Sequence, residues 1–600
     1  MKETKVHKSR EIMKKITLLC KDSTAIPSPL LSVFLIYLAI TLVKIFFVLH
    51  IPSPFIFSDE TAYSKIALSF FESKTFAPGG SPAAYPLPLY PVLLSTAYVF
   101  GDITAAYPVM KIINAFLSSL LLIPVFLIAK EFITEKKSII VAFLSSLLPA
   151  SFAFSATVMS ENLFYPLFMF SLFFMLKSIT KGDKKWDILC GLFIGLSVLT
   201  KLHGLALLIS LLFALLIKGV YMISLEDNIK IKVQKIFRVF IDKWCIFLSS
   251  AVVAAPWFLR TGYYFGFSIT GLTGGTFGIA SGLAENASSQ PTTIYVIDFI
   301  YWALRHTGYF IFATGIIFFG FALLHTWKIV KQRRWNKDKN EEITAFILIS
   351  WVSFFSFILF SAYHTYHGHG YLMGRYIDPA LSAFLVIGAV GLDSFSHHDF
   401  KSLFGTLIIC SVLLAFVPIN SLIRAYNTPD AYILLVPQHL YEMGILSFSP
   451  NVTLIKLFLV ILPFLFWTLA KKDVLRWKYM APLLLVFLGV GSAIASGVMY
   501  TASNDAQDEM IVGLWLHEHA PEGSVILFDE RDVDRMNWTL WGTMFWTDNI
   551  IKIDNISAVD ADYDYIVSLH RLNLPEVLVV NTTTEVLSSY DNHYFLYKGL

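Results

Sequence analysis

The sequence predicts a mainly α-helical, polytopic membrane protein with about thirteen membrane-spanning helices and a small C-terminal α/β domain. Two compositional values support this class: 56% of the 600 residues are hydrophobic and only 15% are charged. Soluble globular domains do not reach this balance. In addition, apolar runs of roughly 20 residues recur, and each is long enough to cross a hydrocarbon core of about 30 Å as a helix. The chain therefore uses lipid as solvent over most of its length.

The predicted domains follow from where these runs begin and end. Residues 1–28 form a basic cytoplasmic tail, and the apolar run after it is too long for a cleaved signal peptide, so we interpret it as a retained signal anchor. Residues 29–500 form the transmembrane domain. Its spans are predicted near 29–50, 104–129, 138–155, 161–177, 186–201, 203–223, 244–262, 303–327, 343–363, 376–394, 402–423, 452–470 and 479–500.

Lysine and arginine residues predict the topology. With the N-terminus in the cytoplasm, roughly 30 of the 46 Lys and Arg residues fall in inside loops, as the positive-inside bias requires. An odd number of spans then places residues 501–600 outside the cytoplasm. That segment combines a helical pattern over 508–519 with short β-type runs at 525–528, 565–569 and 577–580, which predicts a small α/β domain.

Two outer loops are long enough to contribute to a site. Residues 51–103 contain an amphipathic stretch typical of helices that lie on the membrane surface. Residues 263–302 are rich in Gly, Ser and Thr, which predicts a mobile loop. The four cysteines form no CxxC motif, so neither disulfides nor a cysteine metal site is expected.

Ionisable residues gather at the predicted outer ends of the spans. The carboxylates Asp59 and Glu60 follow the first span, and Glu161 begins the fourth. Ionisable groups at the membrane are costly and usually functional. Acids beside cations suggest transfer between a hydroxyl and a phosphate-linked group, with a carboxylate accepting the proton. The cations that share this side are Lys111, Lys201, His203, Arg260, Arg305, His306, His364, His367, His369 and Arg375.

Six short motifs follow one another between residues 29 and 395. They are Ser58-Asp59-Glu60-Thr61-Ala62-Tyr63, Tyr85-Pro86-Leu87-Pro88-Leu89-Tyr90-Pro91, Met159-Ser160-Glu161, the Gly-rich run 191–201 ending in Thr200-Lys201, Ala255-Pro256-Trp257-Phe258-Leu259-Arg260, and Gly374-Arg375-Tyr376. In this order they resemble the membrane-embedded polyprenyl-phosphate-sugar glycosyltransferases of the GT-C class. The resemblance is strongest to the protein O-mannosyltransferase and aminoarabinose-transferase branch, which is similar to glycosyltransferase family 39.

This resemblance implies the GT-C fold and an inverting enzyme of the outer or lumenal face. The enzyme would move a sugar from a polyprenyl (dolichyl or undecaprenyl) phosphate to the hydroxyl of a protein, lipid or glycan acceptor. Membrane lipid is a further partner, and no nucleic acid is expected. The implied catalytic carboxylates are Asp59 as general base, Glu60 and Glu161. The implied donor phosphate-binding residues are Arg375, Lys201, His203, Arg260, His367 and Lys111.

Several of these residues also have a purely structural interpretation. Glu60 could orient Asp59 or cap the following helix, and Glu161 could stabilise the fourth span through the helix dipole. Lys201 and Arg260 could be interfacial anchors. The spacing of the three histidines between 364 and 369 matches no standard zinc motif, so no cofactor is implied, and a divalent metal is left open.

A transporter or a lipid-linked-glycan flippase is the alternative function, because it also needs many spans and charges at the membrane. Such proteins tend to have internal repeats and broken helices near the midplane. The sequence has no convincing repeat, and its polar residues lie at one face. For residues 501–600 alone, a non-catalytic binding role is a third interpretation.

Overall fold

The computed structural model describes a helical bundle with a small sheet near the C-terminus. The described residues are 29–51, 54, 58–223, 228–273, 296–332, 339–366, 372–422, 428–437, 451–471, 476–505, 507–521, 523–529, 544–547, 550–554, 564–568, 577–581 and 595–598. The basic tail, His367 and much of the second outer loop lie outside these ranges.

Over the described residues, the first half of the bundle contains twelve α-helices and ends at Phe265. Its helices are α1 Pro29–Leu49, α2 Ser58–Ser73, α3 Leu89–Leu94, α4 Ile103–Ser119, α5 Leu122–Ala129, α6 Glu135–Ser146, α7 Pro149–Ser155, α8 Glu161–Lys181, α9 Lys184–Thr200, α10 Leu205–Tyr221, α11 Ile229–Asp242 and α12 Trp244–Phe265.

The second half continues to the C-terminal sheet. Its helices are α13 Ile269–Thr273, α14 Val296–Ala313, α15 Ile316–Gln332, α16 Lys339–His364, α17 Leu381–Asp393, α18 Phe400–Leu414, α19 Ile419–Leu422, α20 Val452–Lys471, α21 Trp477–Asp505 and α22 Gln507–His519. Short 3-10 turns at Pro78–Gly80, Ser95–Phe100, Leu202–Gly204, Gly374–Tyr376, Asp378–Ala380, His397–Asp399 and Pro429–Leu435 connect some of them.

The number of membrane-length helices differs from the predicted thirteen. Among the described residues, eight helices are long and apolar enough to cross a membrane, or up to eleven if each of three bent helix pairs is one span. The predicted span 186–201 is α9, whose 17 residues reach about 26 Å and so fall short of the hydrocarbon thickness. The prediction of one helix over 303–327 is wrong. The chain bends by 107° between α14 and α15, next to Gly315, whose φ is +73°.

The centre of the bundle is α8. Apolar side chains surround this helix on all sides, as expected for a helix buried in protein. In its most apolar 18-residue stretch, 78% is buried inside the bundle. The corresponding value for the peripheral helix Val452–Ala470 is 11%. The N-terminus of α8 is where Glu161 lies, so this carboxylate enters the most enclosed part of the molecule.

The Gly-rich motif of α9 is a helix-packing surface. A Cβ atom on Gly191 would lie 2.1 Å from the carbonyl oxygen of Ile246 on α12, and one on Gly195 would lie 2.8 Å from Cβ of Val253. Small residues four apart allow two helix backbones to approach closely. This contact fixes α9 against α12 and thereby fixes the turn after α9, which carries Lys201.

The described C-terminal residues form α22 and a five-stranded sheet. The strands are β1 Val525–Asp529, β2 Ile550–Asp554, β3 Tyr565–Ser568, β4 Val577–Asn581 and β5 Phe595–Lys598, in the order β2-β1-β3-β5-β4. β1 is parallel to β2 and β3, whereas β5 is antiparallel to β3 and β4. The β-type runs read from the sequence correspond to β1, β3 and β4. The boundary predicted at residue 501 falls within α21, which continues to Asp505.

Candidate active site

Four charged side chains from distant parts of the sequence meet at one end of the bundle. They are Asp59 in the first turn of α2, Glu161 at the start of α8, Lys201 after α9 and Arg375 in the turn Gly374–Tyr376. Arg375 Nη1 donates to Asp59 Oδ2 across 3.3 Å, and its Nε lies 4.0 Å from Glu161 Oε1. Lys201 Nζ donates to Glu161 Oε1. The structure therefore brings four of the predicted site residues together.

Charge balance explains how this cluster tolerates burial. Two carboxylates face two cations, and a buried ion pair persists only when its charges are matched and hydrogen-bonded. The Glu161 side chain is fully buried, and those of Arg375 and Lys201 are 10% and 13% exposed. Asp59 is the most open of the four at 22%. A substrate that enters the site can reach its carboxylate most easily.

Burial and charge act in opposite directions on the two cations. Desolvation lowers the pKa of Lys201, and the charge of Glu161 offsets part of that effect. Desolvation also opposes the charge of Arg375, but Tyr376, Asp59 and Glu161 together raise the pKa of its guanidinium well above the usual value. Arg375 thus remains protonated, whereas burial makes Lys201 easier to deprotonate than an exposed lysine.

The loop that carries Arg375 is fixed by three hydrogen bonds to two helices, α8 and α14. The Tyr165 hydroxyl donates to the Arg375 carbonyl oxygen across 3.2 Å. The backbone N–H of Met373 donates to His306 Nε2 across 3.3 Å, and the Tyr309 hydroxyl donates to Asp378 Oδ1 across 3.1 Å. These contacts hold the guanidinium in place independently of its ion pairs.

Tyr376 also belongs to the site, although the sequence predicts no separate role for it. Lys201 Nζ lies 5.0 Å from its ring centroid, and the Arg375 guanidinium carbon lies 5.2 Å from it. The negative face of an aromatic ring attracts a nearby cation. The only signal in the sequence was the position of Tyr376 next to Arg375 in the motif.

Glu60 does not face the cluster, although it is adjacent to Asp59 in the sequence. Its Oε2 accepts a hydrogen bond from the backbone N–H of Val158 across 2.8 Å, and the residue is fully buried. Neighbouring residues on a helix point about 100° apart, which explains the separation. The contact joins α2 to the segment ahead of α8. A catalytic role for Glu60 stays a prediction.

His203 lies beside the cluster in an aromatic environment. Its ring centroid is 4.5 Å from that of Tyr376 and 4.3 Å from that of Phe360. Neither ring nitrogen has a hydrogen-bond partner among the residues that the structure describes, and the residue is only 8% exposed. An incoming oxygen atom could therefore accept a hydrogen bond from this ring.

Lys111 and Arg260 have partners outside the cluster. Lys111 Nζ donates to the carbonyl oxygen of Ile51 and lies 4.3 Å from the Tyr107 ring centroid. The guanidinium of Arg260 donates to the carbonyl oxygens of Phe76 and Ala83, each across 2.8 Å. Both cations thus fix the first outer loop in this structure, and their predicted phosphate role stays a prediction. His367 lies outside the described residues.

A groove of about 570 Å³ lies between α10 and α16. His203 is part of its lining and connects it to the cluster, because the His203 ring centroid lies 4.5 Å from that of Tyr376. Apart from His203 and Ser356, the lining side chains are apolar. Four of them are 42 to 54% exposed on the surface of the bundle that would face lipid. These four are Ile209, Phe213, Phe355 and Leu359.

The described residues also bear on whether the site could bind a metal ion. Among the described residues, no group of three or more His, Cys, Asp or Glu side chains is arranged to hold a metal ion. The acids of the cluster are paired with cations instead.

Comparison with known proteins agrees with the motifs. Residues 86–241 match the family described as dolichyl-phosphate-mannose-protein mannosyltransferase. No curated protein matches the sequence. The structure is similar to that of ArnT from Cupriavidus metallidurans bound to undecaprenyl phosphate, with a TM-score of 0.54, 13% identity, and coverage of 94% of this chain and 97% of that chain.

The apo state of the same ArnT gives a TM-score of 0.51 at 13% identity, covering 95% of this chain and 98% of that one. The similarity extends over nearly the whole of both chains, so it concerns the full architecture and not one helical hairpin. The resemblance indicated by the sequence is therefore confirmed: the chain is a polytopic membrane protein with the GT-C fold, and residues 86–241 match the dolichyl-phosphate-mannose-protein mannosyltransferase family.

Proposed function

We propose that this protein is a membrane glycosyltransferase that moves a sugar from a polyprenyl phosphate to an acceptor hydroxyl. One observation carries the proposal. The buried cations Arg375 and Lys201 lie beside the more open carboxylate Asp59. His203, whose ring contacts Tyr376 of the same cluster, lines a neighbouring apolar groove on the side of the bundle. A ligand with an anionic head and a long apolar tail fits this combination.

The groove suits the prenyl chain of the donor. Its exposed rim residues would contact lipid, so the chain can enter sideways from the bilayer without crossing water. Because lipid tails are as apolar as the groove, the groove would hold the chain by van der Waals packing and not by removing it from water. ArnT, whose fold is similar, is described as binding undecaprenyl phosphate, a ligand of this kind.

The phosphate of the donor would lie against Arg375 and Lys201. A guanidinium presents its N–H donors in a fork that matches a phosphate bidentately, so a donor phosphate can compete with Asp59 for Arg375. The partner-free nitrogens of His203 lie between these cations and the groove and would add a further donor. Glu161 then acts as a positioning residue, since it holds Lys201 and lies close to Arg375.

The transfer step assigns one role to each charge. The acceptor oxygen forms a bond to the anomeric carbon of the sugar, and Asp59 accepts the proton from the acceptor hydroxyl. The bond from the anomeric carbon to the phosphate oxygen breaks, and its electron pair leaves with the polyprenyl phosphate. Arg375 and Lys201 stabilise the charge that develops there. Attack from the face opposite the phosphate inverts the anomeric carbon.

The experiment is mass spectrometry of purified protein incubated with a panel of polyprenyl phosphates carrying hexoses or pentoses, and with protein, lipid and glycan acceptors. We expect the wild type to release polyprenyl phosphate from at least one donor. Asp59→Asn should abolish that release. Glu72→Gln is the matched control, because it removes an exposed carboxylate from the same helix.

Two results would contradict the proposal. One is wild-type release by Asp59→Asn, which would end the assignment of Asp59 as base. The other is movement of an intact lipid-linked sugar across the membrane without release of polyprenyl phosphate, which would indicate a flippase.

The proposed orientation places the N-terminus in the cytoplasm and the site outside it. The distribution of Lys and Arg supports this, because basic residues such as Lys184 and Lys243 lie at the end of the bundle opposite the cluster. Labelling with a membrane-impermeant thiol reagent tests it, using single cysteines at positions 335 and 505. Reaction of both from the same side would contradict this topology.

A further inference from the structure

A four-residue segment of the C-terminal region packs directly against the first outer loop. We call residues 544–547 the docking segment. Phe545 and Trp546 are 1% and 4% exposed, and their ring centroids lie 5.2 and 5.6 Å from that of Tyr107 on α4. Both belong to a hydrophobic cluster that includes Tyr63 on α2. The packing of this cluster is therefore shared between the outer loop and the C-terminal region.

A polar contact ties the docking segment to the helix of the proposed base. Lys65 Nζ on α2 donates to the carbonyl oxygen of Thr547 across 2.9 Å. Lys65 lies less than two helical turns after Asp59, so the docking segment acts on the same short helix. A second link joins His517 Nε2 on α22 to Asp102 Oδ2 at 3.2 Å, just ahead of α4.

The docking segment is itself fixed to the C-terminal region. A Cβ atom on Gly513 of α22 would lie 2.9 Å from Cδ1 of Trp546, which shows how closely this helix approaches the indole. The Lys65–Thr547 hydrogen bond, together with the hydrophobic cluster shared by Trp546 and Tyr63, thus links the position of the C-terminal region to the helix that carries Asp59.

α2 contains only 16 residues, and a helix of this length is marginal without tertiary packing. Its tertiary contacts are divided between the docking segment, through Lys65, and the segment ahead of α8, through Glu60 and Tyr63. The segments that hold Arg375 and Lys201 do not share this dependence. The Arg375 loop is fixed by Tyr165 and His306, and Lys201 follows the tightly packed α9. Loss of the docking contact should therefore displace the base and leave the phosphate-binding cations in place.

We propose that the docking segment positions Asp59 over the donor site, so that the C-terminal region is required for sugar transfer but not for donor binding. Trp546 and Lys65 are positioning residues in this scheme, because they act through α2. The proposal rests on the function proposed above, and it assigns to the C-terminal region a part in the reaction itself.

The test uses the full chain in lipid nanodiscs and four variants. Trp546→Ala removes the indole, and Trp546→Phe retains an aromatic ring. Lys65→Met removes the polar contact while leaving both aromatic side chains. It therefore tests the link to α2 even if Trp546→Ala misfolds. Trp515→Ala is the matched control, since Trp515 packs on Tyr565 within the C-terminal region and not on α2.

Three readouts separate positioning from general destabilisation. They are hydrogen–deuterium exchange of the peptide 58–73, the affinity for undecaprenyl phosphate, and kcat with the sugar donor that the wild type cleaves. We expect Trp546→Ala and Lys65→Met to accelerate exchange in α2. Trp546→Ala should lower kcat by roughly 100-fold, as a misplacement of about 1 Å can do, without weakening donor binding. Trp546→Phe should restore most of kcat, and Trp515→Ala should resemble the wild type.

The proposal fails if Trp546→Ala leaves both exchange and kcat unchanged, or if it weakens undecaprenyl phosphate binding as much as it slows transfer. An equal loss of kcat in Trp515→Ala would also overturn it, since the effect would then arise from the stability of the C-terminal region. If the wild type cleaves no donor, the proposed function fails, and the exchange measurement still decides whether the docking segment holds α2.

Discussion

Arg375 donates a hydrogen bond to Asp59 across 3.3 Å, although 316 residues separate them in the sequence. In the structure, the proposed base Asp59 is therefore paired with Arg375, the residue proposed to bind the donor phosphate. A donor phosphate that binds Arg375 would compete for this guanidinium and free the Asp59 carboxylate for the acceptor hydroxyl. Under the proposed mechanism, donor binding and activation of the base would be coupled through one side chain.

Removal of Arg375 should affect both donor binding and chemistry. Charge-assisted hydrogen bonds contribute about 1.5–3 kcal/mol, so Arg375→Ala should weaken undecaprenyl phosphate binding by roughly 10- to 100-fold and also lower kcat. Arg375→Lys should restore only part of each, because an ammonium lacks the planar pair of donors. Calorimetric titration and a transfer assay on the same preparations measure the two effects. Unchanged donor affinity in Arg375→Ala would remove this residue from the phosphate site.

The charge of Lys201 should make donor binding sensitive to alkaline pH. Burial lowers the pKa of this lysine below its ordinary 10.5. As pH rises through that lowered value, Lys201 loses its proton, so affinity should be full on the acidic side and fall on the alkaline side. A phosphate monoester is fully ionised above about pH 7, so the probe itself does not change. Lys201→Arg should abolish the alkaline decline, measured with undecaprenyl phosphate, whereas a decline that persists in this variant must have another origin.

Glu161 should contribute mainly to stability. It is fully buried between Lys201 and Arg375, and loss of its charge would leave two buried cations facing each other. Removing one partner of a buried ion pair typically costs about 3–5 kcal/mol. Glu161→Gln should therefore lower the thermal unfolding temperature in detergent, measured by intrinsic fluorescence, while the exposed Glu72→Gln should not. Wild-type stability in Glu161→Gln would contradict this role.

Close packing between α9 and α12 should be necessary for the Lys201 position. Gly191→Ala places a methyl group 2.1 Å from the Ile246 carbonyl oxygen, so the helices must separate, at a cost of about 1–3 kcal/mol. We expect lower thermal stability and weaker donor binding. Gly405→Ala is the matched control, because a Cβ atom there meets nothing within 4 Å. Equal behaviour of the two variants would show that this packing does not determine the site.

The sequence was sufficient to predict that Asp59, Glu161, Lys201 and Arg375 share one site. Glu161, Lys201 and Arg375 lie at the ends of predicted spans, and Asp59 lies in the loop after the first span, so alternation of the spans places all four at one membrane face. It was not sufficient to predict which cations at that face join the cluster. The position of a residue along a span gives its depth, but the direction of its side chain depends on the helix neighbours. Lys111 lies at the same end but turns toward the carbonyl oxygen of Ile51.

Two features of the fold left little trace in the sequence. The break between α14 and α15 lies at Gly315, one of three glycines in the predicted span 303–327, and the sequence does not distinguish it from the other two. The docking segment depends on Phe545 and Trp546, two aromatic residues without helical or strand periodicity. Only the tertiary contact with Tyr107 identifies them.

Under the proposed entry of the donor through the groove between α10 and α16, the reaction rate would depend on the donor concentration in the membrane. A donor that arrives through the bilayer encounters the protein by two-dimensional diffusion, so its effective concentration is its mole fraction among the surrounding lipids. Adding inert lipid or detergent at a constant total amount of donor should therefore slow the reaction by surface dilution. Adding water at a constant ratio of donor to lipid should leave the turnover rate per molecule unchanged.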